Sequence, residues 1–164
     1  MGLGNKQTEE GFETLLQLIK TEQDPNVVAE AANSLEKFGD RAIPHLVQLF
    51  ERNSHWLVRQ SIFAALENAT PDVRWQLCQW GWAGDDLVVQ SSAIANLGQL
   101  TNTEYGNTAL TLLLEAAHSE VDMIRAQAAR TLIGFDQPEA KAALATLRQD
   151  NSLRVVGAAL ESLL

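Results

Sequence analysis

Apolar residues recur along this chain with the period of an α-helix, and the helical pattern itself recurs. In Val58-Arg-Gln-Ser-Ile-Phe-Ala-Ala-Leu66, the residues Val58, Ile62, Ala65 and Leu66 fall on one face of a 3.6-residue helix. Val27–Leu35, Val89–Leu97, Ile124–Leu132 and Val155–Leu163 repeat the arrangement. The copies start at 27, 58, 89, 124 and 155, so the steps are 31, 31, 35 and 31 residues. A second apolar column, Leu15, Leu46, Leu77, Leu112 and Ala143, keeps the same steps. Two columns in phase predict about five helical hairpins, each an A helix followed by a B helix. One hairpin cannot bury its apolar face alone, so the hairpins stack on a shared core.

Breakers and caps set the expected boundaries. Met1 to Thr8 reads as a polar lead-in, and the first A helix runs from Glu9 to Thr21. Asp24 is placed to cap the first B helix, with Pro25 at the position where a missing N–H is harmless and Gly39 as its stop. The second hairpin covers Arg41 to Arg52 and Trp56 to Ala69. The third starts at Thr70-Pro71, breaks at Gly81 and Gly84, restarts after Asp85 or Asp86 and ends near Leu100. The extra four residues of the 35-residue step fall between Thr101 and Asn107, where Gly106 suggests a longer turn. Thr108 to Ser119, Asp122 to Phe135, Pro138 to Gln149 and Ser152 to Leu164 complete the set.

Composition narrows the function. The chain carries 21 acidic and 12 basic residues, a net charge of -9. Phosphate backbones and anionic membranes are recognised by Lys and Arg, so neither nucleic acid nor a membrane is expected as partner. No apolar run is long enough to span a bilayer, and the start of the chain lacks a signal-peptide core. The single cysteine, Cys78, has no intrachain disulfide partner, which fits a cytoplasmic protein.

The phrases Gly39-Asp-Arg-Ala-Ile-Pro-His-Leu-Val-Gln-Leu49, Val58-Arg59 with Ala64-Ala65-Leu66, and Ile124-Arg125 with Ala128-Ala129 resemble HEAT repeats. The 31-residue step is similar to the short class found in E/F-type phycobilin lyases and related phycobilisome proteins. The resemblance covers nearly the whole chain. It implies an all-α, right-handed α–α superhelix, a HEAT-like solenoid of about five hairpins forming one domain over residues 1–164. It also implies two uses: docking of another protein, or handling of a bilin chromophore or its phycobiliprotein. None of the family's catalytic motifs can be placed here. The His-Glu pairs of iron-binding HEAT hydroxylases do not occur, and the chain is too acidic for HEAT-like DNA glycosylases.

No catalytic, cofactor or metal site is read from the residues. His45, His55 and His118 fall in different hairpins at unrelated phases, whereas metal ligation needs convergence. Cys78 lacks a Cys-x-x-Cys partner and reads as a half-buried structural thiol. Arg59 and Arg125 occupy one column directly after the inward aliphatic residue. In HEAT-like arrays this arginine ties neighbouring repeats to carboxylates. Val28, Gln90 and Val156 fill the other copies, so the ladder reads as broken. Ser61, Ala64, Ser91, Ser92 and Ala95 should line the concave side. They admit either a partner segment or close stacking of the B helices.

Trp80 shares the phase of Val73 and Leu77 and is expected in the core. Trp75, about 160° from Leu77, should point away from it. Trp82 shares Trp75's face if the helix reaches that far. The sequence therefore reads as a non-enzymatic scaffold or adaptor, with a phycobilin lyase-like factor as the alternative. Trp56, Arg59, Trp75, Trp82 and Arg125 are its candidate contacts with another protein. The last helix, Leu153 to Leu164, holds more apolar residues than one face can hide, so it is expected to pack on a partner, on a second copy as a homo-oligomer, or on sequence missing from this chain.

Overall fold

The computed structural model describes residues 8–164; the rest of the polar lead-in lies outside the described residues. Among the described residues the chain is all-helical, with no strand. It forms two compact units, one ending at Thr70 and one comprising Pro71–Leu164. The first holds two hairpins, α1 (Glu9–Thr21) with α2 (Pro25–Leu35) and α3 (Ile43–Arg52) with α4 (Trp56–Ala64). The second holds three: α5 (Pro71–Ala83) with α6 (Leu87–Leu97), α7 (Gly106–Ala116) with α8 (Asp122–Leu132), and α9 (Pro138–Leu147) with α10 (Leu153–Leu160).

The caps explain where helices start. The Asp24 carboxylate accepts from the Asn26 N–H, and Asp86, rather than Asp85, accepts from the N–H groups of Val88 and Val89. Gly39 has φ 60°, a conformation that side chains resist, and it lets the 3-10 segment Glu36–Arg41 turn the chain into α3. Two ends differ from expectation. The second B helix stops at Ala64, not Ala69: Ala65 leaves the helical region at φ -90°, ψ 12°, and its N–H closes the last turn on the Ser61 and Ile62 carbonyls. The third A helix runs on through Gly81 to Ala83, because Gly81 is buried on its packed face.

The B helices form the spine of each unit. α4 packs on α2 in the first; α8 packs on α6, and α10 on α8, in the second. Ala93, Ala128, Ala129 and Ala159 are fully buried, and such small side chains let helix axes approach closely. Leu46 and Leu77 are buried as expected. In the other A helices the neighbours Leu16, Leu113 and Leu144 take the core position, leaving Leu15, Leu112 and Ala143 half-buried.

Candidate interaction surface

The column after the inward aliphatic residue has one task in the three middle hairpins. The last carbonyls of an A helix lack partners within it. Arg59 Nε donates to the Asn53 carbonyl at 2.9 Å and its Nη2 to the Phe50 carbonyl at 3.2 Å, with the guanidinium 4.7 Å above the Phe50 ring. Gln90 Nε2 donates to the carbonyls of Gly84 at 2.7 Å and Trp82 at 3.2 Å. Arg125 Nη1 donates to those of Ser119 at 2.8 Å and Glu120 at 3.1 Å. The ladder of carboxylate pairs is broken at Gln90 as expected, but the column keeps its carbonyl task there: the Gln90 amide serves the carbonyl six residues back, as Arg59 and Arg125 do. Arg125 alone of the three also pairs with a carboxylate, donating to both oxygens of Asp150 at 2.8 and 2.9 Å and so tying its hairpin to the next. That hydrogen bond, together with the Ser152 N–H, holds the Asp150 carboxyl below its ordinary range.

The tryptophans separate by exposure. Trp56, at the start of α4, is 42% exposed and stacks on His55 with ring centroids 5.9 Å apart. On α5 the packed face is Arg74, Leu77, Cys78 and Gly81. Trp75 and Trp82 lie one residue, about 100°, round from Arg74 and Gly81, so they share one edge of that face. Val73 and Trp80 share the other edge. Trp80, expected in the core, is accordingly half-buried. Trp75 does not point away from the core; it is half-buried and stacks on Tyr105 at 5.9 Å with an interplanar angle of 20°. The packed face is centred between Leu77 and Cys78, not on Leu77 alone. Of the small B-helix residues, Ser61 is buried, Ser91 and Ser92 half-buried, and Ala64 and Ala95 exposed.

Cys78 is fully buried rather than half-buried, and burial pushes its thiol up to about 12, only partly opposed by Arg74 one turn before. Because thiolate is the reactive form, native protein at pH 8 is expected to resist iodoacetamide, with one thiol labelled on unfolding. Rapid labelling of the native protein, followed by mass spectrometry, would show the thiol to be accessible. Arg74, itself buried, donates from Nη1 to the Asn96 side-chain oxygen at 2.5 Å.

The histidines stay local. His55 Nδ1 accepts from the Leu57 N–H, His118 Nδ1 lies 2.7 Å from the Leu114 carbonyl, and His45 meets the Phe12 ring edge-on. Among the described residues no three His, Cys, Asp or Glu side chains are placed to hold a metal ion. No described helix is long and apolar enough to cross a membrane. An open groove of about 1010 Å³ runs between α7, α9 and the start of α8. Leu114, Ala117, Ala143 and Leu147 give it apolar walls, and Arg125 with Asp150 lies at its polar side. Nothing in the sequence pattern announced it, because it depends on the gap between two A helices.

The repeat geometry agrees with a comparison by sequence. A family model described as HEAT repeats matches residues 1–67 and 77–164. The chain belongs to the HEAT-repeat family. No curated protein matches the sequence of this HEAT-repeat chain. Among solved structures, a chain in the complex of CpcE and CpcF of phycocyanin lyase from Nostoc sp. PCC7120 is similar in fold. The TM-score is 0.75 at 20% sequence identity, covering 94% of this chain and 99% of that one. HEAT repeats thus account for the two phased columns, and the structural likeness is one of fold.

Proposed function

We propose that this HEAT-repeat protein is a non-enzymatic scaffold that docks another protein, with residues 1–164 acting as one repeat domain. The observation that carries the proposal is Trp56. A large aromatic side chain left 42% exposed at the start of a helix is the kind of rigid anchor that dominates protein interfaces. Trp75 and Trp82, along the edge of α5, are further contacts in this reading. Arg59 and Arg125 contribute mainly by fixing the turns beside which a partner sits. A contact between copies of the chain through the last helix belongs to the same reading. The similar fold in a two-protein complex supports protein partnership in general terms.

The test is capture of partners from the native cell by the tagged protein, with identification by mass spectrometry. Trp56→Ala is expected to weaken the captured complex by about 2 kcal/mol, roughly thirty-fold in Kd, while melting is unchanged. Trp75→Ala should do the reverse, lowering the melting temperature because it removes the Tyr105 stack, with binding per folded molecule retained. Full retention of the partner by Trp56→Ala would move the site elsewhere.

A second reading, a lyase-like factor handling a bilin or phycobiliprotein, is favoured by the groove beside Arg125. Its volume is of the order of small-molecule sites, which run to about 1,000 Å³. Mixing the purified protein with a bilin should then shift the chromophore's absorbance. No shift at high concentration would remove this reading.

A further inference from the structure

The repeat step aligns two junctions between neighbouring A helices, α1 with α3 in the first unit and α7 with α9 in the second. On α3 stand His45, Leu46 and Leu49; their counterparts on α9 are Ala142, Ala143 and Thr146. Leu46 and Leu49 are buried, and His45 meets the Phe12 ring of α1 edge-on. Phe12 in turn has Ala109 as its counterpart on α7. Bulk is therefore missing from both sides of the later junction. Its wall is also less polar, since Leu114 and Ala117 of α7 stand where α1 carries Gln17 and Lys20. Helices at a given separation leave a gap only where their side chains are too short to fill it, and packed interiors hold few such gaps. The groove of about 1010 Å³ is one of them.

We infer that this groove seats a segment of a partner protein carrying a leucine-sized apolar side chain next to a lysine or arginine. The inference rests on the reading of the chain as a protein-binding module and gives that module a second contact besides Trp56. The missing groups define the apolar part. Leucines aligned with Ala143 and Thr146 are buried in α3, so a leucine brought by a partner replaces what α9 lacks. The charges define the rest. Arg125 already binds both oxygens of Asp150, so those two charges cancel. His118 turns its Nδ1 to the Leu114 carbonyl. Glu120 and Glu139 are exposed in the lining, and among the described residues neither forms an ion pair. Two uncancelled carboxylates therefore flank an apolar trough in a chain of net charge -9. Opposite charge on a partner speeds encounter and fixes register, whereas an anion entering here is repelled. A bilin, whose side chains end in carboxylates, matches the groove in volume but not in charge.

The test selects peptides from a random phage-displayed library on the full chain and measures their binding by fluorescence polarisation. The selected peptides are expected to share a Leu, Ile, Met or Phe beside a Lys or Arg. Ala143→Leu with Thr146→Leu gives α9 the residues of α3 and fills the groove. It should weaken these peptides about tenfold or more, with melting unchanged or raised. Glu120→Lys with Glu139→Lys, at exposed positions, should weaken them by a similar factor and remove the loss of affinity that added salt causes in the wild type. If the filled variant melts early, the charge reversal decides alone. An unenriched library overturns the inference. So do selected peptides without the apolar and basic pairing, or undiminished binding by either folded variant. A bilin whose absorbance shifts with wild type and not with the filled variant, while no peptide is selected, would assign the groove to a small molecule instead. Trp56→Ala should leave the selected peptides' affinity unchanged, so loss of the Trp56 contact and loss of this one are told apart.

Discussion

Replacing Arg125 by methionine is expected to lower the stability of the fold by about 3 kcal/mol, roughly 8 °C in melting temperature for a chain of this size. Methionine keeps the apolar stem and removes only the guanidinium. That group makes two bonds to Asp150, one each to the Ser119 and Glu120 carbonyls, and one to the Asn151 side chain at 3.3 Å. Both members of the ion pair are mostly buried, with side-chain exposures of 14% and 12%. The loss therefore leaves a carboxylate short of its partner in a poorly hydrated place. The Ser152 N–H still reaches Asp150 at 2.8 Å, which keeps the cost below that of a fully stranded charge. Gln90→Ala makes the comparison: it removes two neutral hydrogen bonds and should cost about half as much.

The same pair gives a pH signature. The Arg125 hydrogen bond lowers the folded-state pKa of Asp150. A carboxyl with a lowered folded pKa contributes stability above its unfolded value, about 3.9, and that stability is lost as pH falls through the folded pKa. The gap between wild type and Arg125→Met should therefore be full at pH 7 and narrow below about pH 4. Urea titrations at several pH values measure it. A loss under 1 kcal/mol at pH 7, or a gap that does not change with pH, would mean that the ion pair adds little to the carbonyl contacts.

The repeat step and hairpin count were legible because each B helix shows the same spacing of aliphatic residues. The register of the A helices was legible only in part. Leu15 and Leu16, like Leu112 and Leu113, are adjacent leucines, and either can turn inward for a rotation of 100° about the helix axis. Packing selects Leu16 and Leu113, and it prefers Leu144 over the smaller Ala143. The misreading of Trp75 has the same origin: with Leu77 as sole reference the face was centred too far from Cys78. Gln90 was missed because the column was sorted by charge, whereas its acceptors are backbone carbonyls that any side-chain donor can serve. The groove at Arg125 was beyond the pattern altogether, since periodicity says which residues face a neighbour and not how far away that neighbour sits.

Gly106→Ala is expected to cost about 2 kcal/mol, although alanine is the better helix former by about 1 kcal/mol. Gly106 is the first residue of α7, where the four-residue insertion doubles back on itself. A Cβ there would lie 2.6 Å from the Thr101 carbonyl oxygen and 3.3 Å from that of Leu100. Both are backbone atoms, so no side chain can swing aside. The turn is also tied from within. The Gly106 N–H donates to the Thr103 carbonyl at 3.0 Å, Thr103 Oγ1 donates to the Leu100 carbonyl at 2.8 Å, and the Tyr105 N–H donates to that hydroxyl at 3.2 Å. Relieving the clash must open this loop and shift Tyr105, against which Trp75 stacks. The variant should therefore lose stability and change tryptophan fluorescence before the main unfolding transition. Gly157→Ala in α10 is the control, because a Cβ there meets nothing within 4 Å. It should stabilise the protein by up to about 1 kcal/mol through helix propensity and a less flexible unfolded chain. Opposite signs for the two substitutions would identify the close approach at Thr101, not glycine's flexibility, as the reason this turn needs Gly106; equal gains would rule that explanation out.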